Sequence, residues 1–178
     1  MTISFSYAII RHTQRKEVTT MKPTPIFCFD MDGTIADLYA VENWLSKLRA
    51  YDASPYEEAK PMLNLSALAR QLNAAQRRGA RLVIISWASK DPDPDFYDAV
   101  LAAKVEWLAE HLPSVHWDEV FVVPYGRNKA EVCGVENMNF HLFDDEQQNC
   151  HAWRCAGGWA HGPQSITEVL SDFNSGRL

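Results

Sequence analysis

The sequence has no long apolar run, few cysteines and no excess of positive charge, and each of these features argues against a class of protein. No apolar run reaches the roughly 18–20 residues that a membrane span needs. The 178 residues include only four cysteines, too few for a disulfide framework. The 17 basic residues are outnumbered by 23 acidic ones, which disfavours a general electrostatic attraction to nucleic acid. We therefore expect a soluble, reduced, cytoplasmic protein with no membrane partner.

Hydrophobic residues make up 47% of the chain, enough to bury the core of one domain. The beginning of the chain differs from the rest, because it precedes a second methionine, Met21, and the segment Lys22-Pro23-Thr24-Pro25. We expect residues 1–22 to be a disordered extension ahead of a natural start at Met21, and residues 23–178 to be a single domain. A weak alternation over residues 3–7 leaves an added N-terminal strand as the alternative.

Four short apolar runs predict strands that are buried on both faces of a sheet. They span residues 26–29, 82–85, 120–123 and 140–143, and residues 159–161 predict a short fifth strand. Between them, apolar residues recur at helical spacing, as in Leu101, Val105, Leu108 and Leu112. This alternation predicts an α/β fold of three layers, with a doubly wound, Rossmann-like and mostly parallel sheet of about five strands.

Polar residues follow three of the predicted strands. Asp30, Ser86 and Asp144 each come directly after an apolar run, and the carboxyl ends of parallel strands share the edge where ligands bind. Asp30 and Asp32 leave their strand in roughly the same direction, so one can attack as a nucleophile while the other transfers protons. Crowded carboxylates, with Asp145 beside Asp144, predict a hard divalent cation at this edge, and oxygen ligands favour Mg²⁺.

Residues 27–34, which read FCFDMDGT, resemble the first motif of the haloacid dehalogenase (HAD) superfamily of phosphohydrolases. Three further motifs of that superfamily follow in order: an apolar strand ending in Ser86, Lys129 near a helix start, and an apolar strand ending in Asp144 and Asp145. The likeness is to small phage and bacterial members that have no cap or a minimal one. It implies an HAD-like fold over residues 23–178, with at most a small cap within residues 37–62.

The resemblance also implies a reaction. Asp30 would attack phosphorus and form an aspartyl-phosphate, while Asp32 would protonate the leaving oxygen and then activate the water that hydrolyses the intermediate. Ser86, the main-chain N–H of Trp87 and Lys129 would bind the phosphoryl oxygens. This is mainly electrostatic positioning of a charge-spread transition state.

A Mg²⁺ cofactor is part of the same implied site. Its ligands would be the Asp30 carboxylate, the Asp32 main-chain carbonyl and the acids of the fourth motif. Asp144 is the first choice for the direct ligand there, and Asp145 would bind directly or through water. The presence of Asp32 favours phosphate over halide chemistry, because the metal-free dehalogenases of the superfamily lack that second aspartate.

The expected function is therefore a Mg²⁺-dependent phosphatase acting on small phosphomonoesters, with nucleotides as a plausible class. A polynucleotide-end phosphatase and a non-catalytic HAD-fold binding or regulatory module are the alternatives, and the oligomeric state is left open. Tyr56 and Lys60, in what reads as a loop over residues 52–61, are the candidates for touching substrate. Asp37, Tyr39 and Trp44 are candidates for the entrance of the site.

Several of these residues also admit ordinary structural roles. Lys129 can be a solvated surface residue, with Arg127 as a rival for its role, and Asp144 with Asp145 can cap the following helix. A zinc site formed by Cys150, His151, Cys155 and His161 is the less favoured interpretation of these residues. Their spacing lacks a CxxC knuckle, and ordinary packing explains them.

Overall fold

The computed structural model describes residues 9–11, 25–90 and 93–178. Ile9–Arg11 form a strand, β1, that pairs antiparallel with residues 119–121. The remainder of the expected extension, including the alternating residues 3–7, lies outside the described residues. The disorder expected for those other residues therefore stays a prediction.

The main sheet has six strands in the order β1-β6-β5-β2-β7-β8, and the last five of these run parallel. The remaining strands in chain order are β2 (Ile26–Phe29), β3 (Ala36–Asp37), β4 (Lys60–Pro61), β5 (Arg81–Trp87), β6 (Glu119–Val123), β7 (Phe140–Phe143) and β8 (Trp159–His161). The prediction of five mostly parallel strands is confirmed. The first predicted strand, β2, lies at the centre, between β5 and β7.

Seven α-helices accompany these strands in the described part of the chain. They are α1 (Trp44–Arg49), α2 (Ser54–Glu58), α3 (Leu65–Arg77), α4 (Pro94–His111), α5 (Lys129–Cys133), α6 (Gln147–Cys155) and α7 (Ile166–Asn174). Helices cover both faces of the sheet, which confirms the three-layer α/β fold. None of the helices that the structure describes is both long and apolar enough to cross a bilayer.

The period-two alternation of side chains along β2 divides the interior into two cores. Phe27 and Phe29 pack on one face, in a cluster that includes Leu72 of α3 and Leu170 of α7. Cys28 points to the opposite face, in a cluster that includes Trp153 of α6. Because β2 is covered on both sides, its carboxyl end is held rigidly, and the residues that follow it start from a defined position.

Residues 36–62 form a small substructure beside the sheet. The antiparallel pair β3–β4 closes its base, and a short 3₁₀ turn, Leu38–Ala40, leads towards α1 and α2. The interpretation of residues 52–61 as a loop was wrong, since Ser54–Glu58 are helical. Pro55 lies in the first turn of α2, where proline fits a helix because its missing N–H would have no intrahelical partner.

Candidate active site

Three parallel strands bring their acidic and hydroxyl side chains to one edge of the sheet. Asp30 follows β2, Ser86 is the penultimate residue of β5, and Asp144 follows β7. All three side chains are buried. Since β2 pairs with both neighbours, the three strand ends are adjacent, and the expected convergence of these residues is observed.

The turn after β2 positions a fourth polar residue. Three consecutive main-chain N–H groups, from Thr34 to Ala36, donate to the Met31 carbonyl at 2.9–3.1 Å. Thr34 is fully buried, and its Oγ1 accepts a hydrogen bond from the main-chain N–H of Asp145 at 3.2 Å. Gly33 has a φ of +75°, and a Cβ there would lie 2.4 Å from the Asp145 carboxylate. The Asp-Gly-Thr sequence therefore supports the fourth motif as well as forming a turn.

Lys129 links the first and fourth motifs. It is the first residue of α5, whose N-cap Asn128 accepts a hydrogen bond from the Ala130 N–H. Its buried Nζ lies 2.9 Å from Asp30 Oδ1 and 2.7 Å from Asp144 Oδ2. Burial by itself would lower the pKa of Lys129, but the charges of Asp30 and Asp144 outweigh burial and raise it. The residue is therefore a charged, buried lysine rather than a solvated one.

The rival for this role, Arg127, is placed differently. Its side chain is exposed, and its guanidinium lies 3.8 Å from Glu131. Its main-chain carbonyl accepts a hydrogen bond from the Trp87 indole N–H at 2.9 Å. Arg127 therefore helps to hold the Trp87 ring, while Lys129 contacts the carboxylates.

Three carboxylates are close enough to share a cation. Asp30, Asp144 and Asp145 each offer an oxygen, and these oxygens lie within 4.8 Å of one another. Partial desolvation raises the pKa of Asp145 to about 6, with the charges of Asp30 and Asp144 adding to the effect. A set of hard oxygen donors that repel one another fits Mg²⁺, which would relieve the repulsion.

The two acids of the fourth motif have different surroundings. Asp144 is fully buried and accepts hydrogen bonds from Lys129, from the Asn149 amide and from the Glu146 main-chain N–H. Asp145 is exposed and lines the cavity beside Asp30. Asp144 is thus anchored on the protein side of the cluster, whereas Asp145 faces the space that a ligand would enter.

Comparisons with known proteins agree with this arrangement at the level of fold. No family model matches the sequence, and no curated protein matches it. Among solved structures, that of a Mesorhizobium loti protein described as a HAD-like phosphatase superposes with a TM-score of 0.58 at 15% identity. The superposition covers 95% of this chain and 93% of that one. D,D-heptose 1,7-bisphosphate phosphatase from Burkholderia thailandensis gives a TM-score of 0.54 at 14% identity, covering 85% and 99%.

The fold is that of the HAD-like phosphatases. At this level of identity the likeness concerns the fold alone, and the chemistry depends on this chain's own side chains. The two superpositions cover 85–95% of this chain and 93–99% of the solved structures.

A second buried lysine, which the sequence analysis missed, contacts the residues that follow β2 and the end of β5. Lys104 lies in the middle of α4 and is 0% exposed. Its Nζ donates to Asp32 Oδ2 at 2.6 Å and to Ser86 Oγ at 3.0 Å. The same ammonium group lies 4.4 Å from the centre of the Tyr56 ring. Lys104 therefore contacts the first motif, the second motif and the substructure of residues 36–62.

Asp32 is less buried than Asp30, with 16% of its side chain exposed, and it lines the same cavity. Desolvation raises the pKa of Asp32 above its ordinary value, while the charge of Lys104 acts in the opposite direction. A raised pKa is what a carboxyl group needs if it is to carry a proton near neutral pH.

A cavity of about 630 Å³ opens directly above these carboxylates. Its walls are rich in aromatic rings, which come from the substructure of residues 36–62, from the last residue of β5 and from the loop after β6. The aromatic residues that line it are Tyr39, Trp44, Tyr56, Trp87 and Tyr125. The rings form contacting pairs: Tyr39 and Trp44 have centroids 5.3 Å apart, and Trp87 and Tyr125 have centroids 4.8 Å apart.

Two cations border this cavity, Arg49 of α1 and Lys90 in the loop after β5, and both are exposed. Lys90 Nζ lies 4.6 Å from the centroid of the Tyr125 ring. Burial and the neighbouring carboxylates raise the pKa values of Tyr39 and Tyr56, so both phenols stay neutral. The cavity therefore combines an acidic floor, aromatic walls and a positive rim.

The other candidates from the sequence divide into two groups. Tyr39, Trp44 and Tyr56 line the cavity as expected, whereas Asp37 and Lys60 border a separate surface depression. Among the described residues, the only metal-competent cluster is the three-aspartate one. The residues of the disfavoured zinc interpretation have packing contacts instead: Cys150 Sγ lies 3.4 Å from the Asp144 carbonyl, and Cys155 Sγ lies 3.6 Å from the His151 ring.

Proposed function

We propose that this protein is a Mg²⁺-dependent phosphatase that hydrolyses phosphomonoesters through an aspartyl-phosphate on Asp30. The observation that carries the proposal is the arrangement around Asp30. Lys129 bridges this carboxylate to Asp144, Asp145 lies within metal-sharing distance, and Asp32 borders the same cavity. Nucleophile, charge compensation and proton donor are thus present together.

Two half-reactions follow from these positions. In the first, an Asp30 carboxylate oxygen forms a bond to phosphorus, the ester P–O bond breaks, and the Asp32 carboxyl group gives its proton to the leaving alcohol. In the second, Asp32 takes a proton from water as the water oxygen attacks phosphorus. The bond between Asp30 and phosphorus then breaks, which releases inorganic phosphate and regenerates both carboxyl groups.

The remaining predicted residues bind and orient the phosphoryl group. We assign the Ser86 hydroxyl, the main-chain N–H of Trp87 and the Lys129 ammonium to its equatorial oxygens, where preorganised donors stabilise the charge of the transition state. The carboxylates of Asp30, Asp144 and Asp145, with the Asp32 main-chain carbonyl, would hold Mg²⁺. When bound, the ion would neutralise charge between the phosphoryl oxygens and these acids.

The aromatic cavity supports a nucleotide as the substrate. A nucleobase has two flat apolar faces, and stacking on protein aromatic rings contributes about 1–3 kcal/mol per base. Tyr39 and Trp44 come from the substructure of residues 36–62, which we propose acts as a minimal cap. Trp87, at the end of β5, and Tyr125, in the loop after β6, line the same cavity. A nucleoside monophosphate would place its phosphate on the acidic floor and its base among these rings.

The test is a hydrolysis assay with Mg²⁺ on nucleoside monophosphates, small sugar phosphates and a 3′-phosphorylated oligonucleotide, comparing the native chain with Asp30→Asn. We expect release of phosphate from nucleoside monophosphates and a loss of at least about 10³-fold in the variant. Trapping with acid should recover a phosphorylated native protein. Turnover that survives in Asp30→Asn would overturn the assignment of the nucleophile.

The same panel separates the alternatives. Hydrolysis confined to the oligonucleotide would replace the mononucleotide proposal with a polynucleotide-end phosphatase. An absence of turnover on every substrate, combined with Mg²⁺-dependent binding of a nucleotide, would indicate a binding or regulatory module.

A further inference from the structure

Lys104 has no role in the reaction as proposed above, yet its charged side chain is as fully buried as that of Asp144. Its neighbours on the inner face of α4 are apolar: Val100, Ala103 and Trp107 are each no more than 1% exposed. An apolar side chain of similar length would fill this space without desolvating a charge, and such replacements of buried ion pairs are often neutral or stabilising. Packing alone therefore gives no reason for a lysine at this position.

The contacts of Lys104 are directed at the proton-transfer carboxyl. One Nζ hydrogen bond goes to Asp32 Oδ2 at 2.6 Å and another to Ser86 Oγ at 3.0 Å. Oδ2 is thereby held on the protein side of the carboxyl group, which leaves Oδ1 as the atom free to exchange a proton with the leaving oxygen. Since Asp32 is partly exposed to the cavity and sits in a turn, its χ angles would otherwise have more freedom.

We propose that Lys104 is a positioning residue that orients the Asp32 carboxyl group for proton transfer to the leaving group. The inference rests on the proposed phosphatase function and adds to it a residue from outside the four motifs. Lys104 suits the task because α4 is an 18-residue helix packed on the sheet, and a site held by such an element is more precise than one held by a loop.

This role has a signature that a structural role lacks. A leaving group such as 4-nitrophenolate departs without protonation, whereas the alkoxide of a nucleoside needs a proton as the P–O bond breaks. The ratio kcat/KM covers steps only up to the first irreversible one, the phosphorylation of Asp30, so it excludes the later use of Asp32 as a base. Misplacement of Asp32 should therefore reduce kcat/KM for a nucleoside monophosphate far more than for 4-nitrophenyl phosphate.

The experiment compares Lys104→Met with the native protein on both substrates at saturating Mg²⁺. General acid catalysis is worth about 10²–10⁴-fold. Because Lys104→Met misplaces the Asp32 carboxyl group without removing it, we expect kcat/KM for the nucleoside monophosphate to fall by about 30-fold or more, a part of that full effect. For 4-nitrophenyl phosphate we expect a loss of no more than about 3-fold. Asp32→Asn should show the same selectivity with a larger loss, and Lys104→Arg should recover part of the activity on the nucleoside monophosphate.

Val100→Ala is the matched control, because it leaves a cavity on the same face of α4 and removes no hydrogen bond to Asp32. It should affect the two substrates equally. Equal losses for the two substrates in Lys104→Met, at comparable thermal stability, would show that Lys104 is merely structural and would overturn the inference. If Lys104→Met does not fold, Lys104→Arg and Lys104→Gln provide the same comparison. A native protein that cleaves neither substrate would overturn the proposed function and this inference together.

Discussion

Gly33→Ala tests whether the turn after β2 positions the metal-binding acids. At a φ of +75°, alanine adopts a left-handed conformation that costs about 1–2 kcal/mol. In addition, the new Cβ would lie 2.4 Å from Asp145 Oδ2 and 2.7 Å from the Tyr39 ring. Ordinary contacts begin at 3.4 Å, so the Asp145 carboxylate must move by about 1 Å, the difference between those two distances.

This displacement predicts a loss of activity out of proportion to the loss of stability. The carboxylate is the end of a mobile side chain, so its movement adds little to the strain energy. A misplacement of about 1 Å at a catalytic centre can nevertheless reduce the rate by ~10²-fold. We expect Gly33→Ala to lower the melting temperature by about 2–8 °C and kcat/KM by about 10²-fold, with a higher Mg²⁺ concentration needed for half-maximal activity.

Gly134→Ala is the matched control for this experiment. Gly134 also has a positive φ, +64°, but a Cβ there meets no atom within 4 Å. It should lose a similar amount of stability through the same backbone strain while keeping its activity and its Mg²⁺ requirement. If the two variants have equal activity, then the close approach of Gly33 to Asp145 does not position the Asp145 carboxylate, and the role assigned to this turn is wrong.

Three further predictions concern single side chains. Lys129→Met leaves the buried carboxylates of Asp30 and Asp144 without a cation. Urea unfolding in EDTA should therefore show a free energy of unfolding lower by about 3–5 kcal/mol, part of which Mg²⁺ restores. A variant as stable in EDTA as the native chain would contradict the buried ion pairs. Burial, with the adjacent His161 adding to it, lowers the pKa of His141 to about 4 from its ordinary 6.5. The unfolded state therefore takes up a proton first as the pH falls. The unfolding free energy should fall by about 3 kcal/mol between pH 6.5 and 4. The difference between native and His141→Gln unfolding curves over that range measures this effect, and a pH-independent difference would refute it. Trp44→Ala removes one ring of the cavity wall and should raise KM for a nucleoside monophosphate by ~10-fold, with little effect on a small sugar phosphate; parallel changes for both substrates would remove Trp44 from the base-binding site.

The helical face of α4 shows where sequence patterns were insufficient. The spacing of Leu101, Val105, Leu108 and Leu112 predicted the amphipathic helix. Leu108 and Leu112 are buried, but Leu101 and Val105 are only partly buried. The buried face is centred instead on Val100, Lys104 and Trp107. A charged residue is ordinarily assigned to the solvent side of an amphipathic helix, so hydrophobic periodicity alone does not predict that Lys104 is buried. The available signal was that Phe96, Val100, Ala103 and Trp107 form an apolar stripe that includes position 104.

The substructure of residues 36–62 shows a second limit. Tyr39 and Trp44 were expected at the entrance because they follow the first motif, and Tyr56 was expected in a substrate-touching loop. The structure places all three on the cavity wall. Tyr125 was not anticipated, since it lies in the loop after β6 and comes close only because β6 is the neighbour of β5. Lys60 was expected there as well, but its strand pairing with Asp37 turns it to a different depression.

The sequence by itself determined the order of the five parallel strands and the convergence of Asp30, Ser86 and Asp144. Those features depend on local hydrophobic runs and on the general rule that parallel strands end at one edge. Only the tertiary structure decided which cations face those acids and which rings enclose the cavity. The contact between Lys104 and Asp32 joins positions 72 residues apart, and such contacts arise from how helices pack on the sheet, which no local pattern of residues specifies.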